Sequence, residues 1–392
     1  MAYDADLNFN FVYRTKIVFG AGSLREAPIE VAALGGTRVL LVTDPGVVKL
    51  GLAKRVEAAL GQGSGGMHVG TYADVPSDSS IDTVERGAAL GREMKADAVV
   101  SVGGGSVIDT AKGIAICLGT GHRLVEHEGC NTLSKRLTPH VVIPTTAGTG
   151  SEVSYAAVVK DAEKHRKILF VDWFIIPDTA ILDPELTVGL PPKLTAATGM
   201  DALTHAVESL HSLQREPIAD ALALHAIRLI KEYLPQAVEN GKDLHVRGQM
   251  LIAANIAGCA FSNAQVGLVH AMAHTAGARF GIHHGHANSI FLPHVIRYNG
   301  DACADRYRLA AEAMGVDTRA MNDDAAVEAA ARACAELAAR CGLSARLRDV
   351  GVAESAITAE LAEATTYDGS IVYNPKFVGE SASLIPVYKA AW

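Results

Sequence analysis

The sequence is poor in cysteine: it has six in 392 residues, and no two of them form a C-x-x-C pair. That scarcity excludes a disulfide framework or a cysteine-based zinc site and suits a reducing compartment, the cytoplasm. Long apolar runs are also missing. The longest are of strand length, far short of the roughly 18–20 residues that span a bilayer, so no membrane association is expected. The start, MAYDADLNFNFVYRTK, has no apolar core segment, and no secretory signal is expected from it. A basic excess is absent too. Against 35 Lys+Arg stand 43 Asp+Glu, a net charge of -8, and no basic stripe offers itself to nucleic acid. What the chain does have is 49% hydrophobic and 20% charged residues, enough for a sizeable core and incompatible with a disordered chain. Its length predicts two domains or one large one.

The first half alternates strands and helices. Arg38–Thr43 (RVLLVT), Ala98–Val102 (AVVSV) and Val141–Pro144 (VVIP) are short, branched apolar runs, as buried parallel strands are, and a weaker strand is predicted at Met67–Tyr72. Helices are predicted over Leu52–Leu60, Ser80–Lys95 and Val107–Leu118. This order predicts a parallel sheet with helices on its faces. The texture changes at Pro191-Pro192. Beyond it, helical spacing marks Leu194–Leu213, Ala219–Tyr233, Arg247–Phe261 and Ala325–Arg340, the last opened by Asn322-Asp323-Asp324 and stopped at Gly342. The expected division is residues 1–190 as an α/β domain and 191–392 as an all-helical domain, with a cleft between them.

Gly103-Gly104-Gly105-Ser106 lies between a predicted strand and a predicted helix. Glycines admit a ligand close to the backbone, and a helix start offers free N–H groups to a pyrophosphate. Ser106 is read as the helix cap, with Asp109 as its capping-box partner. The pattern is not G-x-G-x-x-G, so the ordinary dinucleotide fingerprint does not apply. A second loop, Thr145–Ser151, adds hydroxyls and two glycines after the next strand, where ligands of open α/β sheets bind. Asp44 closes the Arg38–Thr43 strand, placed to bond the ribose of NAD and to repel the phosphate of NADP.

Asp201 and His205 lie four apart in TGMDALTHAVE, and His270 and His274 repeat the spacing in GLVHAMAHTAG. Each pair therefore shares a helix face. His283, His284 and His286 follow closely. Imidazoles with a carboxylate suit a divalent transition metal such as Fe²⁺ or Zn²⁺. Spacing leaves open whether His270 and His274 both bind, and which of His283, His284 and His286 completes the set.

These residues carry a resemblance. Gly103–Lys112 (GGGSVIDTAK), Pro144–Glu152 (PTTAGTGSE), Ala197–Glu208 (ATGMDALTHAVE), Gly267–His274 (GLVHAMAH) and His284–Asn299 (HGHANSIFLPHVIRYN), with Phe19–Leu24 (FGAGSL) and Asn374-Pro375, make the chain similar along its whole length to the iron-containing (group III) alcohol dehydrogenases. The resemblance implies a dehydroquinate synthase-like fold: an N-terminal dinucleotide-binding α/β domain, a C-terminal all-α domain, and metal in the cleft. It implies Asp201, His205, His270 and His284 as metal ligands, and His274 beside the nicotinamide and substrate. It implies Gly104, Gly105 and Ser106 on the pyrophosphate, Thr145, Thr146 and Thr149 along the cofactor groove, Lys167 on the ribose, and Asp44 as the residue that sets the preference for NAD. Phe261 and the Asp368–Pro375 segment are expected at the substrate.

The sequence departs from the family pattern in Lys376, where many members have Arg, and in the extra imidazoles His283 and His286, expected to hydrogen-bond behind the ligands rather than to touch a polar substrate. The expected function is metal-dependent, NAD(H)-linked oxidation of a small primary alcohol or reduction of an aldehyde, with Fe²⁺, or Zn²⁺ in its place, as Lewis acid. The alternatives are a hydroxyacid–oxoacid transhydrogenase and, in another class, a non-catalytic metal-binding oligomer. A homodimer or larger homo-oligomer is expected.

Overall fold

The computed structural model describes residues 7–62, 66–161 and 166–392. Two compact units divide the chain, Tyr13–Leu190 and Pro191–Trp392, the second also taking the N-terminal segment through Val12. The reason for that last assignment is local: the Val12 N–H donates to Asn263 Oδ1 at 2.7 Å, and the Asn263 amide returns a bond to the Val12 carbonyl at 3.2 Å.

Among its described residues the first unit holds nine strands: β1 (Lys16–Phe19), β2 (Arg38–Val42), β3 (His68–Tyr72), β4 (Ala98–Gly103), β5 (Gly129–Cys130), β6 (His140–Pro144), β7 (Ala156–Asp161), β8 (Arg166–Val171) and β9 (Thr179–Leu182). Its helices are α1 (Ala27–Ala33), α2 (Pro45–Lys49), α3 (Leu52–Gly61), α4 (Ile81–Glu93) and α5 (Gly105–Thr120). Six strands form a parallel sheet in the order β1-β9-β6-β4-β2-β3. Alternate residues of each strand enter opposite cores. Val39, Leu41, Val100 and Val102 pack with Val31 of α1 and Val56 and Leu60 of α3. Leu40, Val42 and Val99 pack with Val84 of α4 and Ile114 of α5. Burial on both faces is why these strands read as unbroken apolar runs. The chain runs from β2 outward to β3, then returns to place β4 on the other side of β2. That reversal is a topological switch point, and it brings the ends of β2 and β4, with Asp44 and the glycine loop, to the place where open α/β sheets take ligands.

The edge strand β1, its neighbour β9, and a smaller sheet ordered β5-β8-β7, carried no legible signal in the sequence. Several of these strands are short, and part of their surface is exposed.

The second unit is helical: α6 (Pro192–His211), α7 (Pro217–Glu239), α8 (Leu244–Ala264), α9 (Leu268–Phe280), α10 (His284–Tyr298), α11 (Gly300–Ala313), α12 (Asp323–Arg340), α13 (Ala359–Thr366) and α14 (Ile385–Ala390). Asn322 caps α12 through the Ala325 N–H at 2.9 Å, and Asp243 and Glu216 cap α8 and α7 in the same way. α6 is buried from Thr195 to His211 and packs against α7, α8 and α10. Among the described residues no single helix is long and apolar enough to cross a membrane, and none of the six cysteines forms a disulfide.

Candidate active site

α6 places Asp201 and His205 one turn apart, both buried. α9 carries His270 and His274, and α10 begins at His284. Gly285 explains how α10 comes so near: a Cβ there would stand 2.2 Å from the Ala197 carbonyl oxygen of α6 and 3.1 Å from Asp201 Cβ. Only glycine lets the two backbones meet, and the approach carries His284 to Asp201. One ligand atom each from Asp201, His270 and His284 then lies within 4.8 Å of the others. The Asn288 amide nitrogen sits among them, 2.7 Å from Asp201 Oδ1, 3.1 Å from His284 Nε2 and 3.3 Å from His270 Nε2. Its two hydrogens serve two of these three acceptors at a time, and a ring nitrogen that accepts one carries a lone pair, not a hydrogen, on Nε2. A buried carboxylate with two such imidazoles fits Fe²⁺ or Zn²⁺.

His205 lies beside this trio without being one of its three convergent donors. Its ring stacks on His270 at 4.8 Å and on Phe261 at 4.2 Å between centroids. His274 stacks on His284 at 5.1 Å, and its Nδ1 donates to Asp368 Oδ2 at 2.8 Å. His283 is exposed at the start of α10. His286 is buried and donates from Nε2 to the Ser344 carbonyl at 3.0 Å. It is therefore committed to a hydrogen bond within the fold, the reading favoured from the sequence over contact with a substrate.

The electrostatics follow from burial and close packing. Burial alone would raise the Asp201 carboxyl, but His205, His284, His270 and the Asn288 amide outweigh it and hold it at about 2. Burial pushes His284 well below its ordinary value, helped by His274, His270 and His205 and opposed by Asp201. Such a ring is neutral at pH 7 and able to ligate. Burial would likewise lower His270, but Glu208 and Asp201 raise it on balance.

In the first unit, α5 starts at Gly105 with Gly104 as its cap residue and no side-chain cap bond. Ser106 is thus not the cap expected from the sequence. Its hydroxyl donates to the Ser77 carbonyl; the Val107 N–H bonds the Gly104 carbonyl at 3.0 Å, while the Gly105 and Ser106 amides, without a partner among the described residues, can meet an anion. Gly105 has a packing role as well, since a Cβ there would meet Thr149 at 2.8 Å. The loops after β4 and β6 lie against each other, with the Thr145 N–H on the Gly103 carbonyl at 3.0 Å. Thr145 is buried, while Thr146 and Thr149 are partly open. Asp109 does not complete a capping box: its Oδ2 accepts from the Val158 N–H at 3.0 Å, and Lys112 Nζ lies 4.0 Å from Oδ1. Asp44 ends β2 and caps α2 through the Val47 N–H at 2.9 Å. Lys167, on β8, is exposed and pairs with Asp78 at 3.3 Å.

Two residues at the cluster escaped the sequence reading. Glu208 had a signal, since it follows Asp201 by seven positions and so shares its helix face, as Asn288 follows His284 by four. Asp368 lay in the segment expected at the substrate, but its bond to His274 left no signal, the two being 94 residues apart.

The chain is similar to known proteins along nearly its whole length. Residues 14–184 match the family model for iron-containing alcohol dehydrogenase, and residues 195–392 match that for the C-terminal part of the Fe-containing alcohol dehydrogenase family. The chain is 38% identical to 1,3-propanediol dehydrogenase of Klebsiella pneumoniae over 98% of its own length and 99% of that protein. It is 37% identical to lactaldehyde reductase of Escherichia coli K12, covering 95% of this chain and 97% of the relative. A crystal structure of 1,3-propanediol oxidoreductase superposes with a TM-score of 0.91 at 37% identity, covering 98% of this chain and all of that one.

Proposed function

The chain belongs to the iron-containing alcohol dehydrogenase family, and on that premise we propose that it interconverts a small primary alcohol and its aldehyde with NAD(H), using a metal ion held on α6, α9 and α10. The activity is that of an iron-type, NAD-dependent oxidoreductase acting on a CH–OH group. The observation that carries the reading is the convergence of Asp201, His270 and His284 within 4.8 Å, with His274 stacked alongside.

In this reading Asp201, His270 and His284 hold the metal, and His205, one turn from Asp201, supplies the fourth ligand. When bound, the metal supplies a Lewis acid and the nicotinamide accepts or gives the hydride. The remaining work falls to the side chains. Asp368 fixes the His274 ring through Nδ1, which leaves Nε2 to take up or release the proton of the alcohol. Phe261 backs His205 and gives the substrate an apolar wall. On the α/β unit, the open amides of Gly105 and Ser106 bind the pyrophosphate with Gly104. Thr145, Thr146 and Thr149 line the groove, Lys167 reaches the ribose, and Asp44 favours NAD over NADP. Asp109 supports this groove from behind by tying β7 to α5. A homodimeric, cytoplasmic enzyme is part of the same reading, the compartment being supported by six cysteines without a disulfide.

Anaerobic purification, elemental analysis and NADH oxidation with a panel of two- to four-carbon aldehydes test the proposal on one sample. Near-stoichiometric iron or zinc with turnover is expected. A protein that takes up neither metal after reconstitution with Fe²⁺ or Zn²⁺ overturns it.

A further inference from the structure

α9 starts at Gly267, which has no side chain with which to cap it. Three amides at this helix start are satisfied from other elements. Glu208 Oε1, on α6, accepts from the Gly267 N–H at 3.1 Å and the Val269 N–H at 2.8 Å. Asn374 Oδ1 accepts from the Leu268 N–H at 3.4 Å. The second oxygen of Glu208, Oε2, receives the Nδ1 hydrogen of His270. The carboxylate is wholly buried, and its charge is stabilised by these donors and by the positive end of α9. The turn that precedes α9 is also held. Gln265 adopts φ 68°, ψ 168°, a region unfavourable to a non-glycine residue that persists only where its surroundings impose it.

Taking the metal reading above as its basis, we propose that Glu208 is the positioning residue of the metal centre. It holds His270 in the Nδ1–H tautomer, so that the lone pair on Nε2 faces Asp201 Oδ1, 4.0 Å away. It also pins the first turn of α9 to α6, the helix that carries Asp201. One carboxylate thus sets both the tautomer of one ligand and its placement against another, the arrangement by which buried carboxylates tune metal-bound imidazoles.

A neutral amide cannot do both. If the Oε1 of a glutamine accepts the two backbone N–H groups, its NH₂ faces His270 Nδ1 and drives the ring hydrogen onto Nε2, the ligating atom. If the amide is turned over, its NH₂ opposes two N–H donors. Glu208→Gln is therefore expected to bind Zn²⁺ about 10- to 100-fold more weakly than wild type in chelator competition, with unchanged circular dichroism. Affinity within twofold of wild type overturns the proposal.

A second measurement does not depend on how the variant folds. Long-range ¹H–¹⁵N NMR of zinc-loaded wild-type protein, with ¹⁵N-histidine labelling and His270→Gln to identify the resonance, is expected to show His270 as the Nδ1–H tautomer. A hydrogen on Nε2 overturns the proposal. A wild-type chain that binds no Zn²⁺ overturns the metal reading itself and this inference with it, a result distinct from a tight-binding Glu208→Gln.

Discussion

Asp368 accepts a 2.8 Å hydrogen bond from His274 Nδ1 across 94 residues of sequence, and that carboxylate is itself held by the Ser370 N–H at 2.9 Å. The His274 imidazole therefore has one nitrogen committed and one available. Burial would raise the Asp368 carboxyl, but His274 and Ser370 outweigh it and hold it low, so Asp368 is an anion throughout the neutral range. His274→Ala is expected to retain its metal while losing about 10²–10⁴ in turnover, the range of a lost general acid–base group. Asp368→Asn should lose less, because the ring remains. Elemental analysis beside steady-state kinetics checks both, and a metal-free His274→Ala would make His274 a ligand instead.

Asp201 is the only carboxylate of the convergent trio. Asp201→Ala removes the anionic donor and leaves His270 and His284 facing each other. Metal content measured after dialysis should fall to near zero and activity with it. A metal-replete, active variant would sink the assignment.

Asp44 serves two ends at once, as a carboxylate at the end of β2 and as the cap of α2. The two roles separate on substitution. Asp44→Ala should improve the use of NADP relative to NAD and should also lose about 1 kcal/mol of capping. Asp44→Ser keeps a cap and should change the cofactor ratio alone. Kinetics with both cofactors and a thermal melt read the two effects, and an unchanged NADP/NAD ratio in both variants would remove Asp44 from cofactor selection.

Gly285 has no room for a side chain, with the Ala197 carbonyl oxygen 2.2 Å from where a Cβ would stand. Because the obstruction is backbone, α10 must shift as a whole. Gly285→Ala is expected to cost about 1–3 kcal/mol and to weaken metal binding by moving His284 from Asp201. Urea denaturation and chelator competition measure these, and wild-type metal affinity would show that the approach of α10 is unimportant to the site.

His140, at the start of β6, is buried and bonded to Ser101 Oγ at 2.8 Å. Burial, with Lys112 nearby, lowers it from 6.5 to about 3. The unfolded chain therefore takes up a proton below pH 6.5 that the folded chain refuses until about pH 3. The stability His140 contributes is complete above 6.5 and lost as pH falls through that window, at up to about 1.4 kcal/mol per pH unit. Urea denaturation between pH 7 and 4 should show a shallower decline for His140→Gln than for wild type. Equal slopes would mean that His140 is charged in the folded protein.

Much of this molecule was legible before any fold was known. Runs such as Arg38–Thr43 and Ala98–Val102 read as buried strands because a parallel sheet covered on both faces needs no polar alternation, and they became β2 and β4. The i, i+4 pairs Asp201/His205 and His270/His274 are fixed by helix geometry alone, so their shared faces followed from spacing. The metal-binding chemistry was equally legible, because it depends on residue type.

Tertiary structure decided the rest, since it depends on which helices meet. Spacing could not choose among His274, His283, His284 and His286. Gly285 lets α10 touch α6, which carries His284 to Asp201 and leaves His286 bonded to Ser344. The partners of these imidazoles, Glu208 on His270 and Asp368 on His274, join helices and turns far apart in the chain. A hydrogen bond between such positions leaves no period in the sequence. It is determined by packing, and packing is a property of the folded chain.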